Sequence, residues 1–371
     1  MGQVAKVPDK VSIYNPSVHT SDVIIAGAGI IGLSIALELR KAGATVTVLD
    51  RGEPGREASS AAAGMLVTGD PDLGTPMREL AEASAALYPS FVEELELRSG
   101  LQTSLEARGA LYVAAERERL ELPTLSASDL TQQEPGLAHH ARVHFLCEQC
   151  VDPPQLTRAA IECAKRLGVR VHHEAHVKGV TLTREHLLEV CTSRIPYQTP
   201  TFVNCAGAWA NQISGAAAPT RPRKGQMLSV VPTDCKLRHV VRSREVYLVP
   251  RRDGRVIIGA TVEDCGFDKT VDAVKIQDLH QKAANLVFSI GEAKILDAWA
   301  GLRPGSPDDL PIMGAGRLPG TYLATGHFRN GILLAPITAV LMADLIQGKN
   351  PRLDLHAFSP SRFAPAQALA G

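Results

Sequence analysis

The clearest pattern of apolar and polar positions lies near the start of the chain. Val23–Ala26 is a short apolar run rich in β-branched residues, and a turn containing three glycines follows it. Leu33–Ala42 then shows the helical spacing of apolar side chains, and Thr45–Leu49 is a second apolar run. This succession predicts a strand, a tight turn, a helix that ends at Gly43 and a second strand, which together form a βαβ unit.

Further along the chain, helical and strand-like patterns form separate blocks. Helical spacing returns over Met77–Arg98, where we expect Pro89 to interrupt the helix, and over Leu156–Leu167. Strand-like runs then dominate, and the turn-forming pair Asp253-Gly254 separates two of them. The middle of the chain is therefore predicted to be antiparallel, and its ends to form a nucleotide-binding α/β layer. The strand-like runs are Gln226–Val231, Val246–Val249 and Val256–Ile258.

Composition and charge exclude several classes of partner. Lys+Arg and Asp+Glu each number 39 in 371 residues, so no net charge attracts nucleic acid or an anionic membrane. No segment has the apolar length of a membrane span, and the N-terminus lacks a signal-peptide pattern. Seven scattered cysteines fit a reduced, cytoplasmic setting. We expect residues 1–20 to be a polar lead-in that is prone to disorder.

The glycine-rich turn fits a dinucleotide-binding motif. Its residues are GAGIIG, in which Gly27 permits the tight turn, Gly29 a close backbone approach to a pyrophosphate, and Gly32 tight packing of helix on strand. Asp50 follows at about the ~20-residue spacing of a ribose-binding acid, which favours FAD or NAD over NADP. An ordinary βα turn without a ligand is the alternative, and the combined context disfavours it.

A run of small residues follows the second strand. Ala58–Met65 reads ASSAAAGM. Small side chains let the backbone wrap closely around a bulky cofactor, and the hydroxyl groups of Ser59 and Ser60 can bond phosphate oxygens. The alternative is an alanine-rich helix start. The residues alone do not decide between these interpretations, nor between FAD and NAD.

Several motifs together resemble one known family. After GAGIIG come SSAAAGML, VPR (Val249–Arg251), IGAT (Ile258–Thr261), AGLRPG (Ala300–Gly305) and GHFRNGILLAP (Gly326–Pro336), in this order. In these motifs the sequence resembles the glycine oxidase branch, of the thiamine-biosynthesis type, of the D-amino acid oxidase family. The resemblance runs from residue 22 to about residue 357.

This resemblance implies a fold and a division into domains. The fold class would be α/β, with an FAD-binding Rossmann-like domain of the glutathione-reductase type and an antiparallel-sheet substrate domain. The FAD-binding domain would comprise residues 21–88, 146–222 and 300–362, and the substrate domain residues 89–145 and 223–299.

The resemblance also implies an activity. Glycine, sarcosine or small D-amino acids would lose a hydride from Cα to flavin N5, and the imino acid would hydrolyse to a 2-oxo acid. Oxygen would be reduced to hydrogen peroxide, and in some organisms this branch supplies the glycine imine for thiamine synthesis. The family branch also suggests a homo-oligomer such as a tetramer. Family members with covalent flavin use a Cys or His at sites that lack one here, so FAD is predicted to bind non-covalently.

The substrate site is carried over residue by residue. Arg303, in AGLRPG, matches the arginine that binds the substrate carboxylate, a task that suits its planar two-pronged guanidinium. Tyr247 matches an active-site tyrosine whose hydroxyl would give a second hydrogen bond. Met65 matches a position beside flavin and substrate, and Arg329 a further substrate contact. Val262 stands where the family often has Met, which puts a strict preference for glycine in doubt.

The cofactor residues follow from the same comparison. Val177 matches a position that meets the adenine, and Asn204–Trp209 resembles a second glycine-bearing loop over the dinucleotide. His327–Leu333 should lie against the flavin ring, and Pro336 should occupy the first turn of a helix that begins near Leu334. The predicted FAD-binding residues are Gly27, Gly29, Ile30, Ile31, Gly32, Asp50, Arg51, Ser59, Ser60, Ala63, Gly64, Met65, Val177, Ala206, Gly207, Trp209, His327, Phe328, Arg329, Asn330, Gly331, Ile332 and Leu333.

Other constellations and functions carry less weight. Cys147 and Cys150 have a C-x-x-C spacing, but a structural zinc needs four ligands and no second pair exists, so no metal is predicted. The scheme requires no acid–base residue. The rival functions are an amine or D-amino acid dehydrogenase with another electron acceptor, a flavoprotein with a non-oxidative or RNA-modifying role, and a nucleotide-binding module without catalysis. Reduction of the flavin by substrate, and peroxide formation, would separate them.

Overall fold

The computed structural model describes residues 19–70, 73–118, 120, 122–233 and 237–363. Residues 1–18 of the expected lead-in lie outside this range. The helices are α1 Ile30–Lys41, α2 Ala58–Ala61, α3 Thr75–Ser99, α4 Ala127–Gln133, α5 Pro153–Arg166, α6 Ala273–Leu286 and α7 Gly331–Ile346. The strands are β1 His19–Thr20, β2 Val23–Ala26, β3 Val46–Leu49, β4 Met65–Leu66, β5 Ala110–Val113, β6 Val143–Leu146, β7 Gln149–Cys150, β8 Arg170–His172, β9 Val177–Leu182, β10 Leu188–Thr192, β11 Tyr197–Thr199, β12 Thr201–Asn204, β13 Arg221–Val230, β14 Val240–Arg242, β15 Tyr247–Pro250, β16 Val256–Gly259, β17 Ile295–Gly305, β18 Ile312–Ala315 and β19 Thr321–Thr325.

The predicted βαβ unit forms the centre of a six-stranded sheet in the order β18-β19-β12-β2-β3-β8. All neighbours in it are parallel except β18 and β19. Side chains alternate between its two faces, as strands require. Val23 and Ile25 pack with α1, α3, α5 and α7, whereas Ile24 and Ala26 pack against β9, β10 and β11. Because both faces are covered, β2 is buried and apolar throughout.

A second, seven-stranded sheet has the order β17-β13-β16-β15-β14-β5-β6. Its pairs are antiparallel except for β14 with β5, and the Asp253-Gly254 turn joins β15 to β16 as predicted. Helices α4 and α6 cover one face. The other face meets residues 63–65, which follow α2. The predicted fold class, an α/β layer combined with an antiparallel sheet, is confirmed.

Two prolines lie inside helices, where the sequence predicted a break in one helix and a later start of the other. Helix α3 runs through Pro89 without a break, across the predicted boundary at residues 88/89, so the expected interruption was wrong. Helix α7 begins at Gly331, three residues before the expected start, which places Pro336 beyond its first turn. Pro336 has no N–H group to donate to the Ile332 carbonyl. That carbonyl accepts a hydrogen bond from the Tyr88 hydroxyl at 2.7 Å instead.

The two sheets are joined by α3 and by the polypeptide that passes between them several times. The division into two domains at the stated residues stays a prediction. Within the described residues, no helix combines the length and the apolar character that a membrane crossing needs.

Candidate active site

A cavity of ≈ 470 Å³ is lined by residues of both the six-stranded and the seven-stranded sheet. Its volume falls in the range of small-molecule binding sites, about 300–1,000 Å³. One end is formed by the glycine-rich turn after β2, and the other by Tyr247 and Arg303. The sequence motifs that are far apart along the chain therefore line one continuous space.

The glycine-rich end has the features of a dinucleotide cradle. Gly27 has a φ of +103°, and a Cβ there would overlap the Cys205 carbonyl. Asp50 accepts hydrogen bonds from the N–H groups of Ala28 at 2.7 Å and Gly52 at 2.9 Å. Burial raises the pKa of the Asp50 carboxyl, and these two N–H groups act in the opposite direction. The acid is thus held at the end of β3, where a ribose hydroxyl could reach it.

The first turn of α1 opens onto this end of the cavity. The helix begins at Ile30, three residues before the position predicted from its apolar spacing, with Gly29 as its N-cap. The Ile30 N–H donates to the Ser59 Oγ at 2.9 Å, and Ile31 lines the cavity. Because helix N-termini carry partial positive charge, this is a suitable position for the phosphates of a dinucleotide.

A stack of side chains closes the same end. The Arg51 guanidinium lies 4.1 Å from the centre of the Trp209 ring. The Phe267 ring stacks on the same Trp209 ring, with 5.3 Å between the two ring centres. Val177, Ala206 and Gly207 also line the cavity here. Five of the predicted cofactor residues, Arg51, Val177, Ala206, Gly207 and Trp209, therefore line the same cavity.

At the other end, strand register places Tyr247 in a row of side chains across the seven-stranded sheet. Met227 pairs with Gly259, Gly259 with Tyr247, and Tyr247 with Arg242. A Cβ at Gly259 would overlap the Tyr247 ring and hydroxyl. The missing side chain at Gly259 therefore lets the tyrosine lie flat against the sheet.

Arg303 reaches the same place from β17 over a second glycine. A Cβ at Gly225 would overlap the Arg303 guanidinium, so only glycine leaves room for it there. Arg303 Nη1 donates to the Thr261 carbonyl at 3.0 Å. Burial lowers the pKa of Arg303, whereas its proximity to Tyr247 acts to raise it. Burial raises the pKa of Tyr247, so its hydroxyl keeps its proton and can donate it to an acceptor.

The run of small residues forms the wall opposite this sheet. Ala63, Gly64 and Met65 line the cavity. Two side chains hold this segment: Trp299 on β17 donates from Nε1 to the Ala61 carbonyl at 3.1 Å, and Arg251, directly after β15, donates from Nη2 to the Ala63 carbonyl at 2.7 Å. The arginine of the VPR motif thus connects the two walls of the cavity by a hydrogen bond.

The start of α7 completes the cavity wall. Asn330, its N-cap, and the first residues Gly331 and Ile332 line the cavity. His327 also lines it, is buried and bonds Thr338 Oγ1 at 3.1 Å. Burial lowers the pKa of His327 to about 3, so its ring is neutral near neutral pH.

Two predicted substrate residues are more exposed than Arg303. Arg329 lies on the surface at the cavity edge, where its guanidinium is 5.2 Å from the ring of Phe328. Val262 lines the cavity and keeps 48% of its surface exposed. Both can contact only the part of a ligand that points toward the opening.

Three predicted cofactor residues do not line the cavity. Gly32 packs against the turn after β2, where a Cβ would overlap the Gly27 carbonyl. Ser60 donates its hydroxyl hydrogen bond to the Gly55 carbonyl. Leu333, on α7, is buried in the core, and its carbonyl accepts from Ser84 Oγ at 2.6 Å.

Sequence reasoning missed Gly225 and Gly259 as residues of the site. Gly259 belongs to the IGAT motif, and Gly225 directly precedes the predicted strand Gln226–Val231. Their function depends on which strands pair, which the sequence does not show. Within the described residues, no group of three or more His, Cys, Asp or Glu side chains could hold a metal ion.

Comparison with known proteins agrees with this geometry. The DAO family, described as FAD dependent oxidoreductase, matches residues 22–345. A glycine oxidase of Pseudomonas aeruginosa is 32% identical over 365 residues, which cover 94% of this chain and 99% of that protein. The crystal structure of a glycine oxidase from Geobacillus kaustophilus superposes with a TM-score of 0.88 at 31% identity, covering 94% of this chain and all of that one.

A third relative is larger. The bifunctional protein ThiO/ThiG of Trichormus variabilis is 37% identical over 363 residues, which cover 93% of this chain but 55% of that protein. The chain therefore spans about half the length of the first curated relatives it matches. The matched family, the fold and the cradle at Gly27, Asp50 and α1 all fit FAD as the cofactor. The chain belongs to the DAO family of FAD-dependent oxidoreductases.

Proposed function

We propose that this protein oxidises glycine, sarcosine or small D-amino acids to imino acids. One observation carries the proposal: Arg303 and Tyr247 lie together on the cavity wall, each over a glycine, away from the dinucleotide cradle. A fixed guanidinium beside a protonated hydroxyl suits a substrate carboxylate. The names of the glycine oxidase relatives support the same class of substrate.

The residues of this site would orient the substrate rather than exchange protons with it. Arg303 would bind the carboxylate with its two-pronged guanidinium, and the Tyr247 hydroxyl would donate a further hydrogen bond. Met65 and Val262 would limit the space beside Cα. The neutral ring of His327 is bonded to Thr338 and supplies no catalytic charge.

The cradle and the start of α7 would hold FAD, which when bound would supply a two-electron acceptor for the hydride that leaves the substrate Cα, with O2 as the final acceptor and hydrogen peroxide as the product. The start of α7 faces the cavity, and its N–H groups would stabilise negative charge near that end. The walls built from the small-residue segment and the sheet would exclude water while the substrate is held. Water would hydrolyse the released imino acid to a 2-oxo acid and ammonia or an amine.

Further parts of the proposal rest on relatives and composition. The scattered cysteines support a cytoplasmic protein, and the ThiO/ThiG relative supports a contribution to thiamine synthesis. We propose non-covalent FAD, a homo-oligomer and the two-domain division given above. The cofactor residues would be those of the cradle, the Trp209 stack and the start of α7.

An anaerobic titration tests this function. The purified, FAD-loaded protein would be mixed separately with glycine, sarcosine, D-alanine and D-proline, and the visible flavin band recorded. We expect at least one to bleach the band, and admitted oxygen to restore it with formation of peroxide. Bleaching without reoxidation by oxygen would identify a dehydrogenase that uses another acceptor. No bleaching by any of the four would refute the small-amino-acid assignment.

A further inference from the structure

A hydrogen-bonded cluster lies directly behind Arg303, outside the cavity. The Glu263 carboxylate accepts from Thr261 Oγ1 at 2.6 Å, Gln226 Nε2 at 2.7 Å and Lys275 Nζ at 2.5 Å. Thr261 Oγ1 in turn accepts from the Gln226 N–H at 2.9 Å. The cluster thus joins β13, the segment after β16 and α6 through a single carboxylate.

The backbone of the segment after β16 follows β13 beyond the end of the regular strand. Glu263 and Lys224 exchange N–H to carbonyl hydrogen bonds at 2.9 and 3.0 Å. The Thr261 N–H donates to the Gln226 carbonyl at 3.3 Å, a longer bond. The Thr261 carbonyl that remains points at Arg303 and accepts from its Nη1 at 3.0 Å. The orientation of Arg303 therefore depends on where this segment lies.

The Glu263 side chain is mostly buried, at 15% exposure, and is charged. Burial acts to raise its pKa, but the hydrogen bonds from Lys275, Thr261 and Gln226 prevail and lower the pKa of Glu263 to about 2. A carboxylate that accepts several hydrogen bonds holds its donors in fixed places. Gln226, one of those donors, is itself fully buried.

We propose that Glu263 is a positioning residue for substrate binding, because its carboxylate fixes the segment Thr261–Glu263 whose carbonyl at Thr261 orients the Arg303 guanidinium. Val262, between the two, is held against the cavity by the same bonds. This inference rests on the proposed function, in which Arg303 binds the substrate carboxylate. It assigns a binding role to a residue that does not reach the substrate.

The test compares two matched substitutions in the same segment. Glu263→Gln removes the charge from the cluster, whereas Asp264→Asn removes the charge of its exposed neighbour, which forms an ion pair with Arg221 at 3.1 Å. Acetate, a carboxylate that cannot be oxidised, is titrated into the FAD-loaded proteins and followed by the flavin spectrum. We expect the acetate dissociation constant and the KM for the amino acid to rise about 10- to 100-fold in Glu263→Gln. Asp264→Asn should stay near wild type, and kcat should change less than threefold in both.

A second pair of variants tests the role of the hydroxyl. Thr261→Val removes the hydrogen bonds to Glu263 and Gln226, and Thr261→Ser retains them. We expect Thr261→Val to raise the acetate dissociation constant as much as Glu263→Gln does, and Thr261→Ser to keep the wild-type value. In the Glu263→Gln/Thr261→Val double variant, acetate should bind no more weakly than in either single variant. Equal acetate affinity in folded Glu263→Gln and wild type, with the wild type reduced by an amino acid, would overturn this inference alone. A wild-type flavin spectrum that responds to neither acetate nor any amino acid would overturn the proposed function, and this inference with it.

Discussion

Gly225→Ala tests whether Arg303 binds a carboxylate in the geometry seen here. The added Cβ would overlap three atoms of the guanidinium, Nη1, Cζ and Nη2, so the guanidinium has to move. Gly225 does not have a positive φ, and its backbone therefore accepts alanine without strain. The substitution should leave the fold intact while it displaces one side chain.

The size of the effect follows from the hydrogen bonds that a displaced guanidinium loses. A hydrogen bond to a charged group contributes about 1.5–3 kcal/mol. Since about 1.4 kcal/mol corresponds to a factor of ten, losing one such bond weakens carboxylate binding about 10- to 150-fold. We expect the acetate dissociation constant and the KM for the amino acid to rise by this factor.

The assay is an acetate titration of the FAD-loaded variant, followed by steady-state kinetics with whichever amino acid reduces the wild-type flavin. Gly74→Ala is the matched control, because the space around Gly74 is open and its backbone needs no positive φ. It should bind acetate as the wild type does. A Gly225→Ala variant that folds, retains FAD and binds acetate with wild-type affinity would refute the reasoning about Arg303.

Three further predictions concern the cofactor, pH and specificity. Asp50→Asn weakens the acceptor of two backbone N–H groups and of the expected ribose hydroxyl, so the FAD dissociation constant, measured by fluorescence titration, should rise about 10- to 150-fold; an unchanged constant would contradict the ribose role. The pKa of His327 is about 3 in the folded protein and 6.5 in an unfolded chain, so between these pH values only the unfolded chain protonates this ring. The free energy of unfolding should therefore fall as pH drops from 6.5 to 3, by at most about 1.4 kcal/mol per pH unit. Urea unfolding at pH 5 and 7 should show a smaller difference in His327→Asn than in wild type. Val262→Met should lower the ratio of kcat/KM for D-proline to that for glycine about tenfold, and an equal ratio would show that this position does not face the substrate side chain.

The dinucleotide half of the fold was readable from sequence because its signals are local. Strand, glycine turn, helix and second strand follow one another within residues 22–50, and apolar spacing missed only the first turn of α1, which begins at Ile30. Ile30 in that turn is buried in the core, but Gly29 and Gly32 on either side of it break the helical pattern of apolar residues. The Asp253-Gly254 hairpin was equally local.

Features that depend on contacts between distant residues were not readable. Pro336 looks like a helix start, but the hydroxyl groups of Tyr88 and Ser84 on α3 provide hydrogen bonds to α7, which lets the proline stay in the helix interior. In the same way, only strand register shows that Gly225 and Gly259 underlie Arg303 and Tyr247. The residues of the candidate carboxylate site could be predicted from a family resemblance, whereas the way they are positioned is explained only by the pairing of the strands.

The hydrogen bonds that connect opposite walls of the cavity limit how the molecule can move. Arg251 and Trp299 bond carbonyls of the small-residue segment, and α3 crosses the predicted domain boundary as one unbroken helix whose Tyr88 bonds α7. A hinge rotation of one sheet against the other would break the Arg251 and Trp299 bonds together. Access to the cavity can therefore change through exposed side chains at its rim, such as Arg329, without a rotation of one sheet against the other.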